Sequence, residues 1–194
     1  MQIDIGGGVH LYVDIEGAGL VPDGATMRSK PTLVLLHGGP GYDHSGFKPA
    51  FSGLADVAQI VYYDHRGHGR SDRRPIDEWT LDNWADDVVH LCDTLGICKP
   101  IVLGQSFGGF VAQHYLARHP EHPSKVILSS TSPHLGLARK LAMFERLGAW
   151  RRANRPRGSG PGPTRPRGRT TSVCGVWRDR PEPAFDLLRR FILE

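Results

Sequence analysis

The first 150 residues alternate between short apolar runs and stretches with helical spacing, and this alternation limits the folds open to the chain. The strand-like segments span residues 9–16, 32–36, 59–63, 101–103 and 125–130, and the helix-like segments span 79–95, 107–118 and 136–147. Residues 17–31 are rich in residues that break helices and strands, which predicts a loop, and after residue 150 only 185–193 again has helical spacing. Continuous apolar runs such as Ile101–Leu103 are typical of strands that are covered on both faces. The pattern therefore predicts an α/β fold, a doubly wound and mostly parallel sheet with helices on both faces.

Composition excludes several classes of protein. No apolar run approaches 18 residues, and Asp4 and Asp14 fall in the first fifteen residues, so the sequence predicts neither a membrane span nor a secretory signal peptide. The three cysteines, Cys92, Cys98 and Cys174, form no Cys-x-x-Cys pair. This argues against a disulfide framework or a zinc site, and we predict a cytoplasmic protein.

Charge divides the chain near residue 150. Residues 1–150 hold 13 Lys and Arg against 16 Asp and Glu, a net charge of −3, whereas residues 151–194 hold 11 Arg against 4 acids, a net charge of +7. Between Arg151 and Thr170, seven residues are Arg, four are Pro and four are Gly. Such a segment has little apolar surface to bury, so we predict a globular core over 1–150 and a basic, largely disordered tail over 151–194.

The strongest local signal is the pentapeptide Gly104-Gln105-Ser106-Phe107-Gly108, which lies between a predicted strand and a predicted helix. This context is the one that a nucleophile elbow requires, with a serine on a tight strand-to-helix turn. Glycines two residues before and two after the serine leave the turn free of side chains. The sequence therefore predicts a nucleophile at Ser106, close to the positive end of a helix dipole.

A second motif, His37-Gly38-Gly39-Pro40-Gly41, follows the strand at 32–36. Acyl transfer requires two backbone N–H groups directed at the developing oxyanion. The residue after the nucleophile, Phe107, is one predicted donor, and Gly39 in the earlier loop is the other, because it has no side chain in the way. Pro40 has no N–H and fixes the turn.

Three motifs in this order resemble the α/β-hydrolase fold: HGGPG at 37–41, YDHRGHGRS at 63–71 and GQSFGG at 104–109. The first motif resembles the proline iminopeptidase-type branch, and the resemblance covers about residues 1–148. It implies a serine hydrolase that cleaves an amide or ester bond through an acyl-enzyme, with Ser106 as nucleophile. A short peptide with an N-terminal proline or another small aminoacyl group is the implied substrate, an ester is the alternative, and no metal or organic cofactor is implied.

The sequence has no match for the acid and the histidine that would activate the serine in this family. The fold places an acid and then a histidine after the nucleophile, but His134 is the last histidine of the sequence. Asp179 and Asp186 follow Ser106, and neither comes after a strand-like run, so neither is assigned as the acid. Without a base, only the rate supplied by the oxyanion hole would remain, roughly 10³–10⁴-fold over water.

Five residues near the predicted site have two interpretations. His37, His65 and His68 lie in loops at the expected rim, and any of them is either the serine's base or an ordinary loop histidine. Asp64 and Arg66 lie in the turn of the second motif. We interpret both as structural, with a catalytic role as the alternative, because charges in a turn usually hold the loop.

The tail replaces what the resemblance predicts to be a helical cap, which begins at about residue 136, and the last strands of the sheet. We hypothesise an altered C-terminus, such as one from a shifted reading frame, which the nucleotide sequence around codon 150 would test. The incomplete sheet would expose the edge of the strand at 125–130. The alternative function is a non-catalytic chain whose basic tail binds RNA or an acidic partner, although nucleic-acid binding is the weaker prediction because Trp177 is the tail's lone aromatic residue before 181. No oligomeric state is predicted.

Overall fold

A computed structural model of the chain describes residues 1–133 and 181–194. Its elements in chain order are β1 (Gln2–Asp4), β2 (His10–Glu16), β3 (Leu20–Asp23), β4 (Thr26–Ser29), β5 (Thr32–Leu36), β6 (Gln59–Tyr63), α1 (Leu81–Thr94), β7 (Ile101–Gln105), α2 (Phe107–Arg118), β8 (Lys125–Ser129) and α3 (Pro181–Leu193). Short 3₁₀ helices cover His44–Phe47, Ala50–Leu54 and Ile76–Glu78.

Six strands form one sheet in the order β1-β2-β6-β5-β7-β8. The four strands β6, β5, β7 and β8 are parallel to one another, and β1 and β2 join antiparallel at one edge. The register aligns Leu36 of β5 with Tyr63 of β6 and with Gly104 of β7. The carboxyl ends of these strands therefore meet at one edge of the sheet. The predicted α/β fold with a mostly parallel sheet is confirmed.

Both faces of the sheet are covered, which explains the continuous apolar runs. On one face, Val34, Val61 and Val102 belong to a core that includes side chains of α1 and α2. On the other face, Leu35 and Leu103 belong to a second core with the aromatic side chains of the 3₁₀ helices and with side chains of α3. Because consecutive strand residues point to opposite faces, every position of a central strand must be apolar.

The two predicted helices next to the site form close to their predicted bounds. Thr80 caps α1 by accepting a hydrogen bond from the Asn83 N–H, and Gly96, at φ +65°, follows its end. The helix buries Trp84 and Leu91 against the sheet. The second helix, α2, begins at Phe107 as predicted and ends before His119.

The last helix lies inside the predicted tail, where the sequence has helical spacing. α3 begins at Pro181, earlier than the helical pattern at 185–193, and buries Leu188 and Ile192 in the core. Arg189 of α3 also forms an ion pair with Asp56. These residues therefore pack with the N-terminal part of the chain, because their apolar side is large enough to bury. The predicted helix at 136–147 and the rest of the tail, 151–180, lie outside the described residues.

The prediction that residues 17–31 form only a loop is wrong. It contains a hairpin in which β3 pairs antiparallel with β4, and nearly all its residues are exposed. The short strand β1 was also not predicted. At the opposite side of the sheet, β8 is an edge strand among the described residues, and Leu128 is 49% exposed. The described helices include none with the length and apolar character to cross a membrane.

Candidate active site

Ser106 lies on the sharp turn that joins β7 to α2. Its backbone has φ +52° and ψ −109°, a conformation that costs a non-glycine residue about 1–3 kcal/mol. The Ser106 N–H donates to the Ser129 carbonyl at 2.8 Å, and its own carbonyl accepts from the Gly109 N–H at 3.1 Å. The side chain is half-exposed. The turn thus holds a strained serine at the carboxyl edge of the sheet, as the sequence predicts.

Two glycines make this turn possible by close approach. A Cβ on Gly104 would lie 2.4 Å from the Gly108 carbonyl oxygen. A Cβ on Gly108 would lie 2.1 Å from the Leu36 carbonyl oxygen at the end of β5. Real Cβ atoms do not approach backbone oxygens so closely, so the helix can start beside β5 only when both positions lack side chains.

The loop after β5 lies against the serine. A Cβ on Gly38 would be 3.4 Å from Ser106 Cβ and 4.0 Å from Ser106 Oγ. The next residue, Gly39, has φ +145°, a conformation that favours glycine. Phe107, the first residue of α2, is buried and packs edge-on against Trp84 with ring centroids 5.0 Å apart. The structure therefore places the three predicted site residues, Ser106, Gly39 and Phe107, in neighbouring positions at one edge.

Three histidines form a buried group beside Phe107. The His37 and His65 ring centroids are 4.2 Å apart, and His68 lies 5.6 Å from His37. Burial lowers the pKa of His37 to about 4 and holds the pKa of His65 well below its ordinary value. These two histidines are therefore neutral at neutral pH.

Each of the same histidines forms at least one ring hydrogen bond, although His65 Nδ1 and His68 Nε2 are buried without a partner among the described residues. His37 Nε2 accepts from the His65 N–H at 3.0 Å, so its Nδ1 carries the proton and donates to the Gly38 carbonyl at 2.7 Å. His65 has no exposed surface, and His68 donates from Nδ1 to the Arg66 carbonyl. Within residues 1–133 and 181–194, no side chain forms a hydrogen bond with Ser106 Oγ. The alternative of a base among these three histidines thus has no contact to support it, and His134 lies outside the described residues.

Arg66, in the turn after β6, has the contacts of a structural residue. Its Nε donates to Asp87 Oδ2 at 3.0 Å, its Nη2 also contacts Asp87, and its Nη1 donates to Glu78 at 2.7 Å. Asp87 is buried on α1, where burial raises the pKa of its carboxyl group although Arg66 opposes that shift. Arg66 thus ties the turn to α1, in agreement with the structural interpretation.

Asp64 has a partner that sequence reasoning missed. Its buried carboxylate binds His44, and the ligand atoms of Asp43, His44 and Asp64 all lie within 4.8 Å of one another. Residue types alone would allow a metal ion there. However, His44 Nδ1 donates to Asp64 Oδ1 at 2.7 Å and Asp43 Oδ1 accepts from the Ser45 N–H at 2.9 Å, so these side chains are paired without an ion. The hydrogen bonds therefore account for this grouping, and no sequence signal linked residues 44 and 64.

The fold and the strained serine turn define a class of protein. The family model described as alpha/beta hydrolase fold matches residues 31–170, well over half of the chain. The chain belongs to the alpha/beta hydrolase fold family. It is 38% identical over 125 residues to the proline iminopeptidase PfmaB of Pestalotiopsis fici, and 38% identical over 120 residues to a proline iminopeptidase of Clostridium botulinum. It is 35% identical over 107 residues to the putative carbamate hydrolase RutD of Caulobacter vibrioides.

These similarities cover part of each protein. The alignments take in 63%, 60% and 53% of this chain, but only 44%, 41% and 40% of the three relatives, in the order given. Among solved structures, a proline iminopeptidase-related protein of Thermus thermophilus matches with a TM-score of 0.58 and 28% identity, over 68% of this chain and 44% of that one. The esterase EaEST of Exiguobacterium antarcticum matches with a TM-score of 0.55 and 28% identity, over 65% and 43%.

Proposed function

We propose that this chain carries the nucleophile half of a serine hydrolase, in which Ser106 attacks an amide or ester carbonyl and forms an acyl-enzyme. The observation that carries the proposal is the strained, half-exposed Ser106 at the carboxyl edge of a parallel sheet. Strain of this kind persists only where the surrounding structure imposes it, and it concentrates at functional sites. The surrounding structure imposes the serine turn through close backbone packing, because any side chain at Gly104 or Gly108 would collide with neighbouring backbone atoms.

The oxyanion donors in this proposal are the N–H groups of Gly39 and Phe107. A Cβ on Gly38 would lie 4.0 Å from Ser106 Oγ, so the loop that carries the Gly39 N–H runs beside the serine. Phe107 follows the serine and opens α2, where the helix dipole also favours negative charge. Two donors on two different elements stabilise a tetrahedral intermediate without any side-chain movement.

The proposed substrate is a short peptide with an N-terminal proline or another small aminoacyl group, and an ester is the alternative. Support comes from the relatives named proline iminopeptidase and from the HGGPG loop beside the serine. The serine needs a base to become a strong nucleophile. The described residues supply no hydrogen-bonded base, so turnover of such a peptide depends on a group that the described part of the chain does not contain.

A fluorophosphonate probe in excess, with long incubation, tests the nucleophile directly, because a single attack on phosphorus leaves a stable adduct and needs no turnover. The described residues supply no base for Ser106, so we expect this labelling to be slow. We expect the full chain to be labelled at Ser106, Ser106→Ala to lose the label completely, and Ser29→Ala, on the exposed strand β4, to keep it. Mass spectrometry of the labelled peptide identifies the residue. Labelling that persists in Ser106→Ala, or a wild-type chain that takes no label, would overturn the proposal. Release of proline from a prolyl anilide, compared with hydrolysis of a nitrophenyl ester, then separates the two substrate classes.

A further inference from the structure

Asp64 is a buried carboxylate whose two oxygens both have donors. It follows β6 directly and has no exposed surface. Its Oδ1 accepts from the His44 N–H at 2.9 Å and from His44 Nδ1 at 2.7 Å, and its Oδ2 accepts from the Arg70 N–H at 2.8 Å. A Cβ on Gly69 would lie 2.0 Å from Oδ2, so the turn is shaped around this carboxylate.

His44 ends the loop that begins beside the serine. The loop leaves β5 at His37 and passes beside Ser106 at Gly38, where a Cβ would lie 3.4 Å from Ser106 Cβ. Five residues after Gly39 the chain reaches His44. Gly39 and Gly41 both have positive φ, at +145° and +91°. Glycines leave the backbone more conformational freedom than other residues do. The position of the Gly39 N–H therefore depends on how firmly the two ends of the loop are fixed.

The His44 end is fixed by two kinds of contact. Its ring donates to Asp64 and stacks on Tyr12, with centroids 5.4 Å apart and planes inclined by 29°. Asp43, the preceding residue, caps the short helix that follows, because its Oδ1 accepts from the Ser45 N–H at 2.9 Å. These contacts fix how the loop enters the 3₁₀ helix, and one of them comes from Asp64 in the turn after β6.

We propose that Asp64 and His44 are positioning residues that hold the Gly39 loop against Ser106. This inference rests on the proposed function and deepens it. Asp64 follows β6, and β5 lies between β6 and β7 in the sheet, so two strand spacings, roughly 10 Å, separate Asp64 from the serine turn. At that distance the pair acts through the loop and not on the hydroxyl.

The chain contains a matched control. His10 uses its backbone N–H and its Nδ1 to contact one carboxylate oxygen of Asp72, at 2.8 Å and 3.0 Å, as His44 does with Asp64. The control pair is solvent-exposed, with side-chain exposures of 46% and 39%, and it lies outside the 37–44 loop. Removing each histidine ring therefore separates the effect of the buried anchor from that of losing an Asp–His hydrogen bond in general.

The experiment measures amide hydrogen exchange and fluorophosphonate labelling on the full chain. In His44→Ala we expect exchange of the amides at residues 44 and 45, which donate to Asp64 and Asp43, to speed up at least ten-fold, exchange in α1 to stay unchanged, and labelling of Ser106 to slow at least ten-fold. His44→Asn, whose amide nitrogen replaces the Nδ1 donor, should stay within about three-fold of wild type, and His10→Ala within about two-fold. If His44→Ala does not fold, His44→Phe keeps the stacking on Tyr12 without the donor and takes its place.

The outcomes separate this inference from the proposed function. Unchanged exchange at residues 44 and 45 in the His44 variant overturns the anchor, and so does normal labelling despite faster exchange. Loss of protection in α1 along with the loop also overturns it, since that result means general destabilisation. A wild-type chain that takes no label overturns the proposed function, while the exchange data still decide whether Asp64 and His44 hold the loop.

Discussion

Two turns at the same edge of the sheet are built in opposite ways. The turn after β7 holds Ser106 in a strained backbone, half-exposed, and its hydroxyl has no hydrogen bond within the described parts of the chain. The turn after β6 buries Asp64 completely and gives its carboxylate three donors, while its carbonyl accepts from Ser71 Oγ at 2.6 Å. Among the described residues, one turn presents a hydroxyl without a protein partner, and the other gives donors to both carboxylate oxygens of Asp64, although it also buries His65 Nδ1 and His68 Nε2 without a partner.

The difference shows how a parallel sheet supports a reactive group. The strained backbone at Ser106 destabilises the fold, so neighbouring parts must hold it in place. The turn after β6 does so by joining β2, α1 and the Gly39 loop through Asp64, Arg66 and Ser71. Parallel strands end at the same edge of the sheet, and β5 alone lies between β6 and β7. The turn after β6 is therefore only two strands away from the turn that carries Ser106.

Breaking the contact between α1 and the turn after β6 should lower the free energy of unfolding more than any other change considered below. Arg66→Met leaves Asp87, which is 1% exposed, without its cation, and loss of one partner from a buried ion pair costs about 4 kcal/mol. Arg118→Met removes a similar two-bond contact with Asp86 on the surface, where water screens the charges and we expect a much smaller loss. Urea unfolding of the two variants measures both values. Equal losses would show that burial of the Arg66 pair does not matter.

Lowering the pH should destabilise the folded chain through the buried side chain of His37. The pKa of His37 is about 4 in the folded chain and near 6.5 when exposed, so the unfolded chain binds the proton first. The stability from this neutral histidine is present above pH 6.5 and is lost as pH falls from 6.5 toward 4, by roughly 3 kcal/mol in all. We expect the free energy of unfolding of His37→Gln to fall less steeply than that of wild type over this range. Parallel pH profiles of the two chains would contradict this prediction.

The central part of the fold was predictable because its signals are local. The strands β5 and β7 are buried on both faces, and that requires apolar side chains at successive positions, which the sequence shows directly. The serine turn was predictable because tight backbone approach demands glycine at fixed positions. The hairpin β3–β4 was missed because its residues are exposed, so neither face left an apolar pattern in the sequence.

The contacts that hold the site could not be read from the sequence. Asp64 was correctly placed in a structural turn, but its partner His44 lies 20 residues earlier in a loop, and only the pairing of β5 with β6 brings them together. The helix α3 had a helical pattern, yet nothing in that pattern showed that Leu188 would join the core of β5 and β7. Contacts between distant segments depend on the assembled sheet and not on local preference.

The smallest expected effect tests the strain at Ser106 itself. Ser106→Ala and Ser106→Gly both remove the hydroxyl, but only glycine adopts φ +52° and ψ −109° without steric conflict. Relief of the strain offsets the extra entropy that glycine gives to the unfolded chain, so we expect Ser106→Gly to be more stable than Ser106→Ala by about 1 kcal/mol. Thermal unfolding of the two variants under identical conditions measures the difference. If Ser106→Ala were the more stable, the serine turn would not be strained, and the contrast between the two turns would rest on exposure alone.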